Sequence, residues 1–254
     1  MIKTQRRWIW LTTLLAIALF VSLGANYLLY KQGEDYYRQL NAVRLDPIGL
    51  YYFQDYTQPQ SNKPLVVFYG DSRAARWTTP DDPGFKFVNR GIGAQTSAQV
   101  LERFDAHIKP LKPNIIIIQV GINDLKTIPI FPGNKQAIID NCKANIRRIV
   151  EQSNDLGATV IATTIFPMGQ VSIERTLFWS DDVALAIQEV NVFIHSLAND
   201  KIIVFDSFAI LANDSKSIKP EYSQDLLHLT PLGYQRLNTS LTLILSGLTE
   251  NFSR

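Results

Sequence analysis

Asn114-Ile115-Ile116-Ile117-Ile118-Gln119-Val120-Gly121 is the stretch that decides the fold. Four consecutive isoleucines leave no polar face. Their β-branched side chains are stiff and suit a pleated surface, so the run reads as a strand closed by Gly121. A strand that is apolar on both sides is covered on both sides, as in a parallel sheet between layers of helices.

The chain on either side repeats this logic. Leu65-Val66-Val67-Phe68-Tyr69, closed by Gly70, is a first buried strand, and residues 85–88 form a second. Residues 94–107 are helical in character. Residues 136–156 have helical spacing, with Ile138, Ile139, Ile146, Ile149 and Val150 as apolar positions and Gly157 as the stop. Residues 159–163 predict a fourth strand, 182–197 a helix and 201–205 a fifth strand. Thr230 reads as an N-cap with Pro231 at the first helical position, and a helix runs on to Leu245. The alternation predicts an α/β fold, a three-layer sandwich around a parallel sheet of about five strands.

The chain has 254 residues, 46% hydrophobic and 19% charged, which excludes disorder and fibrous classes. A formal charge of +2 without a basic stripe argues against a nucleic-acid partner. The single cysteine, Cys142, rules out an internal disulfide and a cysteine-rich metal site. At the N-terminus, Lys3, Arg6 and Arg7 precede an uncharged run from Trp8 to Tyr30. As a helix that run reaches roughly 34 Å, enough to cross a bilayer core. Trp8, Trp10, Tyr27 and Tyr30 stand near its ends, where aromatic rings favour the membrane interface. Residues 1–7 then form a cytoplasmic basic segment and 8–30 a transmembrane anchor. The rest lies on the periplasmic or extracellular side. The competing reading is a cleaved signal sequence, with Ser22 and Gly24 before the cut and a secreted product. Residues 31–61 read as a stalk or a short helix leading to a linker, and 62–254 as one catalytic domain.

Ligands in an open α/β sheet bind at the carboxyl ends of the strands. Gly70-Asp71-Ser72 follows the first strand, Asn89-Arg90-Gly91-Ile92-Gly93 the second, and Gly121-Ile122-Asn123-Asp124 the third. Asp225-Leu226-Leu227-His228 precedes the last helix. This inventory suits acyl transfer. A serine hydroxyl needs an adjacent base, and histidine, with an ordinary pKa of about 6.5, is suited to that task. A carboxylate fixes the imidazole tautomer. Asp225 and His228, three apart, share a face if the loop makes a helical turn. The backbone N–H groups of Ser72 and Gly93 and the Asn123 amide are candidate donors to an oxyanion.

These blocks resemble the SGNH (GDSL-type) hydrolases, esterases and lipases with a flavodoxin-like fold. The resemblance runs from Pro64 to Leu245. Gly70-Asp71-Ser72 matches the first block, Gly93 the glycine of the second, Gly121-Ile122-Asn123-Asp124 the third, and Asp225-Leu226-Leu227-His228 the last. It implies Ser72 as nucleophile, His228 as base and Asp225 as its orienter. It also implies an oxyanion hole of Ser72, Gly93 and Asn123, with no metal and no organic cofactor. Arg73 departs from the name-giving leucine, and Ala94-Gln95 depart from the usual residues after the block-two glycine.

Each residue also has a plainer reading. Ser72 alone would be a helix N-cap, and Asp71 could cap the same turn. Gly91 and Gly93 lack the third glycine of a dinucleotide fingerprint, since Thr96 holds that place. Gly70-Asp71-Ser72-Arg73-Ala74 lacks the final glycine of a nucleophile elbow. His107 and His195 read as packed or surface histidines, Asp124 as a brace for the Asn123 loop, and Cys142 as a small helix residue. Sequons at Asn213, Asn238 and Asn251 matter only in a glycosylating lumen. The loops 127–134 and 166–180 are expected to carry the pocket walls, and Phe166, Met168, Phe178 and Trp179 of the second to form an apolar acyl site, pack as a lid or face the membrane. The expected function is hydrolysis of a carboxylic ester or thioester, on a lipid or an acylated glycan. An O-acyltransferase of the same fold and a non-catalytic binding module are the alternatives.

Overall fold

The isoleucine run is the central strand of the sheet in the computed structural model, which describes residues 2–54, 61–171 and 180–249. The strands are β1 (Leu65–Gly70), β2 (Lys86–Gly91), β3 (Ile115–Gln119), β4 (Thr159–Thr163) and β5 (Ile202–Phe205). They lie in the order β2-β1-β3-β4-β5, all parallel. This is the flavodoxin-like order, whose direction of winding reverses between β1 and β3.

Alternate strand residues feed two cores. Val67, Tyr69, Ile116, Ile118, Val160 and Ala162 face one side. There they pack on α3 (Ser97–Glu102), α4 (Phe104–His107), α6 (Lys135–Asp155) and α7 (Asp182–His195). Val66, Phe68, Ile115, Ile117 and Ile161 face the other, against α8 (Ser207–Leu211) and α9 (Pro231–Leu248). Two single turns, α2 (Ser72–Ala75) and α5 (Ile122–Leu125), follow β1 and β3. On α6 the buried positions Ile139, Cys142, Ile146, Ile149, Val150 and Ser153 follow the helical period. Thr230 caps α9, its hydroxyl accepting the Gly233 N–H, with Pro231 first in the helix.

The structure departs from the sequence reading in two places. β2 extends through Asn89 and Arg90 to Gly91. The polar side chains at its end have partners there: Asn89 donates to the Ala74 carbonyl and Arg90 lies over the Phe53 ring. The helix expected over 94–107 breaks into α3 and α4 at Arg103, whose buried side chain donates to the Gly70 carbonyl. The N-terminal helix α1 runs unbroken over Ile2–Leu45, so of the two readings of the segment after residue 30 its first half takes the helical one. Ion pairs of Glu34 with Lys31 and Arg38, at helical spacing, support that extension. Within α1 lies an apolar stretch long enough to cross a membrane. The chain forms two compact units, Met1–Pro47 and Ile48–Arg254.

Candidate active site

Strand register sets the height of the site. Gly70 is level with Gly91 on β2 and with Gln119 on β3. The loops that begin at Asp71, Ile92 and Val120 therefore leave the sheet together, at the reversal point.

Asp71, not Ser72, caps the turn after β1. Its Oδ1 accepts the Arg73 N–H at 2.8 Å, and Ser72 is the first helical residue. The hydroxyl of Ser72 is thus free of cap duty. It lies 3.1 Å from His228 Nε2. His228 Nδ1 stands 2.9 Å from Asp225 Oδ2. An ionised carboxylate only accepts, so Nδ1 carries the proton and Nε2 presents its lone pair to the Ser72 O–H.

Asp225 and His228 meet through an Asx turn rather than the helical turn expected from their spacing. Asp225 Oδ1 accepts the N–H groups of Leu227 at 2.7 Å and His228 at 2.8 Å. Desolvation pushes the Asp225 carboxyl upward, but the Leu227 N–H, the His228 ring and the His228 N–H outweigh it and hold the pKa at about 2. The carboxylate is therefore charged at neutral pH. Asn123 is buried on α5, and its Nδ2 donates to the Gln95 carbonyl at 3.0 Å. Gly93 is exposed, with nothing within 4 Å of where a Cβ would stand. Asp124 accepts both the N–H and the hydroxyl of Ser97, pinning α5 to α3.

The GDSL-like lipase/acylhydrolase family model matches residues 56–236, well over half of the chain. The chain belongs to this family. No curated protein sequence matches it. A GDSL-like lipase of Bacteroides thetaiotaomicron superposes with a TM-score of 0.64 at 23% identity, over 79% of this chain and 98% of that one. An acetyl xylan esterase gives 0.57 at 15%, over 71% and 99%. An acetyl-xylooligosaccharide esterase variant from Geobacillus gives 0.56 at 18%, over 74% and 95%. At these identities the likeness shows the shared SGNH hydrolase fold.

Arg73, the departure from the GDSL name, is fully buried and takes three carbonyls. Its Nε donates to Leu227 at 2.8 Å, Nη1 to Phe166 at 3.1 Å and Nη2 to Pro167 at 3.3 Å. It thereby ties the turn bearing Ser72 to the loop bearing His228. Gly169, whose N–H donates to the Leu226 carbonyl at 2.9 Å, closes the same contact. Sequence reasoning noted Arg73 without a role, because nothing local signals a partner more than 90 residues away.

The loop residues correct a further expectation. Phe166 lies in the core, 5.8 Å from the Trp77 ring and beneath the Arg73 guanidinium. Met168 belongs to the opposite core. Met168 also lines a cavity of about 290 Å³ with Gly169, Gln170 and Ala184, so of the two Phe166 is the one given over to packing, and Phe178 and Trp179 lie outside the described residues. His107 is packed edge-on to Phe53, and half-exposed His195 lies 3.4 Å from Asp206. Cys142 is buried in the core beside Gly121.

Burial pushes the Asp71 carboxyl from 3.8 up to about 6, against the attraction of Arg73. Burial likewise pulls Arg73 down to about 10. An aspartate whose pKa rises on folding binds its proton more tightly in the folded state. Its contribution to stability is therefore present below pH 4 and lost as pH rises through 6. Asp71→Asn keeps an oxygen for the Arg73 N–H and removes that slope. The variant is expected to gain stability relative to the parent between pH 4.5 and 7.5, measured by urea unfolding. Equal slopes in both proteins would contradict this.

Proposed function

We propose that the protein is a membrane-anchored serine esterase working through an acyl-Ser72 intermediate. The observation that carries this is the continuous pair of contacts from Ser72 Oγ to His228 Nε2 at 3.1 Å and from His228 Nδ1 to Asp225 at 2.9 Å. Ser72 Oγ attacks the ester carbonyl carbon while His228 Nε2 takes its proton. The charge that develops on the carbonyl oxygen is met by the N–H groups of Ser72 and Gly93 and the second amide hydrogen of Asn123. Collapse expels the alcohol, which takes the proton from His228, and leaves acyl-Ser72. Water then gives its proton to His228 and attacks the acyl carbon. The second collapse returns the proton to Ser72 and releases the acid. Asp225, held ionised, stabilises the imidazolium in both halves.

For substrate, we favour a short acyl ester on a carbohydrate. Two structurally similar proteins are named for acetylated xylan or xylooligosaccharide. A cavity of about 410 Å³ beside Asp225, lined in part by Gln170, Asn213 and Ser223, offers amides and hydroxyls suited to sugar hydroxyls. Anchoring rests on the apolar stretch of α1, which is fully exposed among the described residues. Three basic residues crowd the seven positions before it, which favours a cytoplasmic N-terminus and a non-cytoplasmic esterase domain.

The deciding experiment treats the full chain in detergent with a fluorophosphonate and maps the adduct by peptide mass. Labelling of Ser72 is expected; labelling elsewhere overturns the assignment. Hydrolysis of acetylated xylooligosaccharides should exceed that of lysophospholipids and acyl thioesters. A preference for either of the latter would remove the carbohydrate reading alone.

A further inference from the structure

Between α1 and the first strand, residues 48–53 pack against the back of the oxyanion loop. The Ile48 carbonyl accepts from Gln95 Nε2 at 2.9 Å. Gly49 is buried at φ +78°, and a Cβ there would stand 2.9 Å from both Gln95 Nε2 and Ile92 Cδ1. The Phe53 ring lies 4.4 Å beneath the Arg90 guanidinium and meets His107 edge-on at 5.4 Å. His107 Nδ1 is in turn 3.3 Å from Arg103 Nη1.

Gln95 is where these contacts converge. It is buried, its Oε1 accepts from Arg103 Nε at 2.5 Å, and its main-chain carbonyl accepts from Asn123 Nδ2 at 3.0 Å. The neighbouring Ala94 sits at φ +63°. A non-glycine residue keeps that left-handed conformation only where its surroundings over-determine it. Gly93-Ala94-Gln95 is therefore a strained loop, clamped on one side by Arg103 and on the other by residues 48–53.

We propose that residues 48–53 are part of the esterase machinery, a strap that fixes Gln95 as a positioning residue for the oxyanion donors Asn123 and Gly93. The strap precedes residue 56, where the family match begins, so it is a feature of this chain outside that match. The proposal rests on the reading of Asn123 as an oxyanion donor. A free amide can rotate its N–H away from a developing charge. An amide with one hydrogen fixed on the Gln95 carbonyl holds its other hydrogen in one direction, which is the preorganisation that electrostatic catalysis requires.

The test uses full-length Gln95→Glu, which retains an acceptor for Arg103 but loses the donor to Ile48, and Phe53→Ala, which loosens the strap without touching the loop. Each is expected to lower kcat for p-nitrophenyl acetate on the order of 10- to 100-fold with KM little changed, as sub-ångström misplacement of a donor does. Asn123→Ala is measured in parallel and is expected to lower kcat by about 10²–10³-fold. In the Asn123→Ala background the strap variants should cost clearly less than in the parent, because only the part of their effect that runs through Gly93 remains. A strap variant that melts earlier but turns over at the parental kcat overturns the proposal, since the strap is then merely structural. So does a rate loss that persists in full in the Asn123→Ala background. Parental activity in Asn123→Ala itself would instead sink the oxyanion reading on which the proposal stands.

Discussion

Ser72→Ala is expected to lower kcat/KM for ester hydrolysis on the order of 10⁴- to 10⁶-fold while leaving the melting temperature unchanged. The loss is large because, among the described residues, the Ser72 hydroxyl is the nucleophile placed against the base, 3.1 Å from His228 Nε2. The fold is indifferent because the cap belongs to Asp71, whose Oδ1 holds the Arg73 N–H whatever occupies position 72. His228→Ala should fall to the same floor, and the double variant no further, since nucleophile and base act as one unit. The floor is not zero. Oxyanion donors and substrate binding still act on a water attacking unaided. Initial rates on p-nitrophenyl acetate, with thermal melts on the same samples, check this. Activity retained by Ser72→Ala would remove the triad. Additive losses in the double variant would mean that the two residues serve separate steps.

What the sequence revealed and what it hid follow from the range of the interactions. The Ile115–Ile118 run was legible because both faces of β3 are buried, which leaves an unbroken apolar string. The last helix was legible from its own cap, since Thr230 and Pro231 act within three residues. Three of the four motif blocks stood at strand ends, where the fold concentrates chemistry, and the fourth stood just ahead of the last helix. By contrast, the end of β2 was hidden because polar Asn89 and Arg90 break the apolar run, and the partners that accommodate them, the Ala74 carbonyl and the Phe53 ring, come from other segments. The role of Gln95 was hidden because its partners, Ile48, Arg103 and Asn123, come from three separate segments and leave no periodic trace. Arg73 is the same case, with a guanidinium that spans from position 73 to Phe166 and Leu227. Local chemistry is written locally; the bracing of a site is written in pairs far apart.

Gly70→Ala carries the largest expected cost in stability. Gly70 ends β1 at φ +151°, and a Cβ there would lie 1.8 Å from the Gln119 carbonyl oxygen and 2.7 Å from its carbon. Those are backbone atoms of the adjacent strand, so no rotamer change relieves the clash. Strand β3 would have to move away, yet the same Gln119 carbonyl accepts the Asp71 N–H at 3.1 Å. The Gly70 carbonyl is also occupied, by Arg103 Nη2 at 2.8 Å and the Ile92 N–H at 3.0 Å. Displacing Gly70 therefore disturbs the β1–β3 register, the Ser72 turn and the Gly93 loop at once. Overpacking in a relaxed core costs about 1–3 kcal/mol, and a contact this short against fixed backbone should exceed that. At about 2–4 °C per kcal/mol for a domain of this size, the melting temperature should fall by roughly 10 °C or more, or the protein should fail to accumulate. Gly93→Ala supplies the contrast, because its Cβ would point into open space and stability should hold. A Gly70→Ala chain that melts with the parent would show that β1 and β3 can separate at the rim without loss. The strand-end geometry that presents Ser72 would then be far softer than the close approach of Gly70 to Gln119 requires.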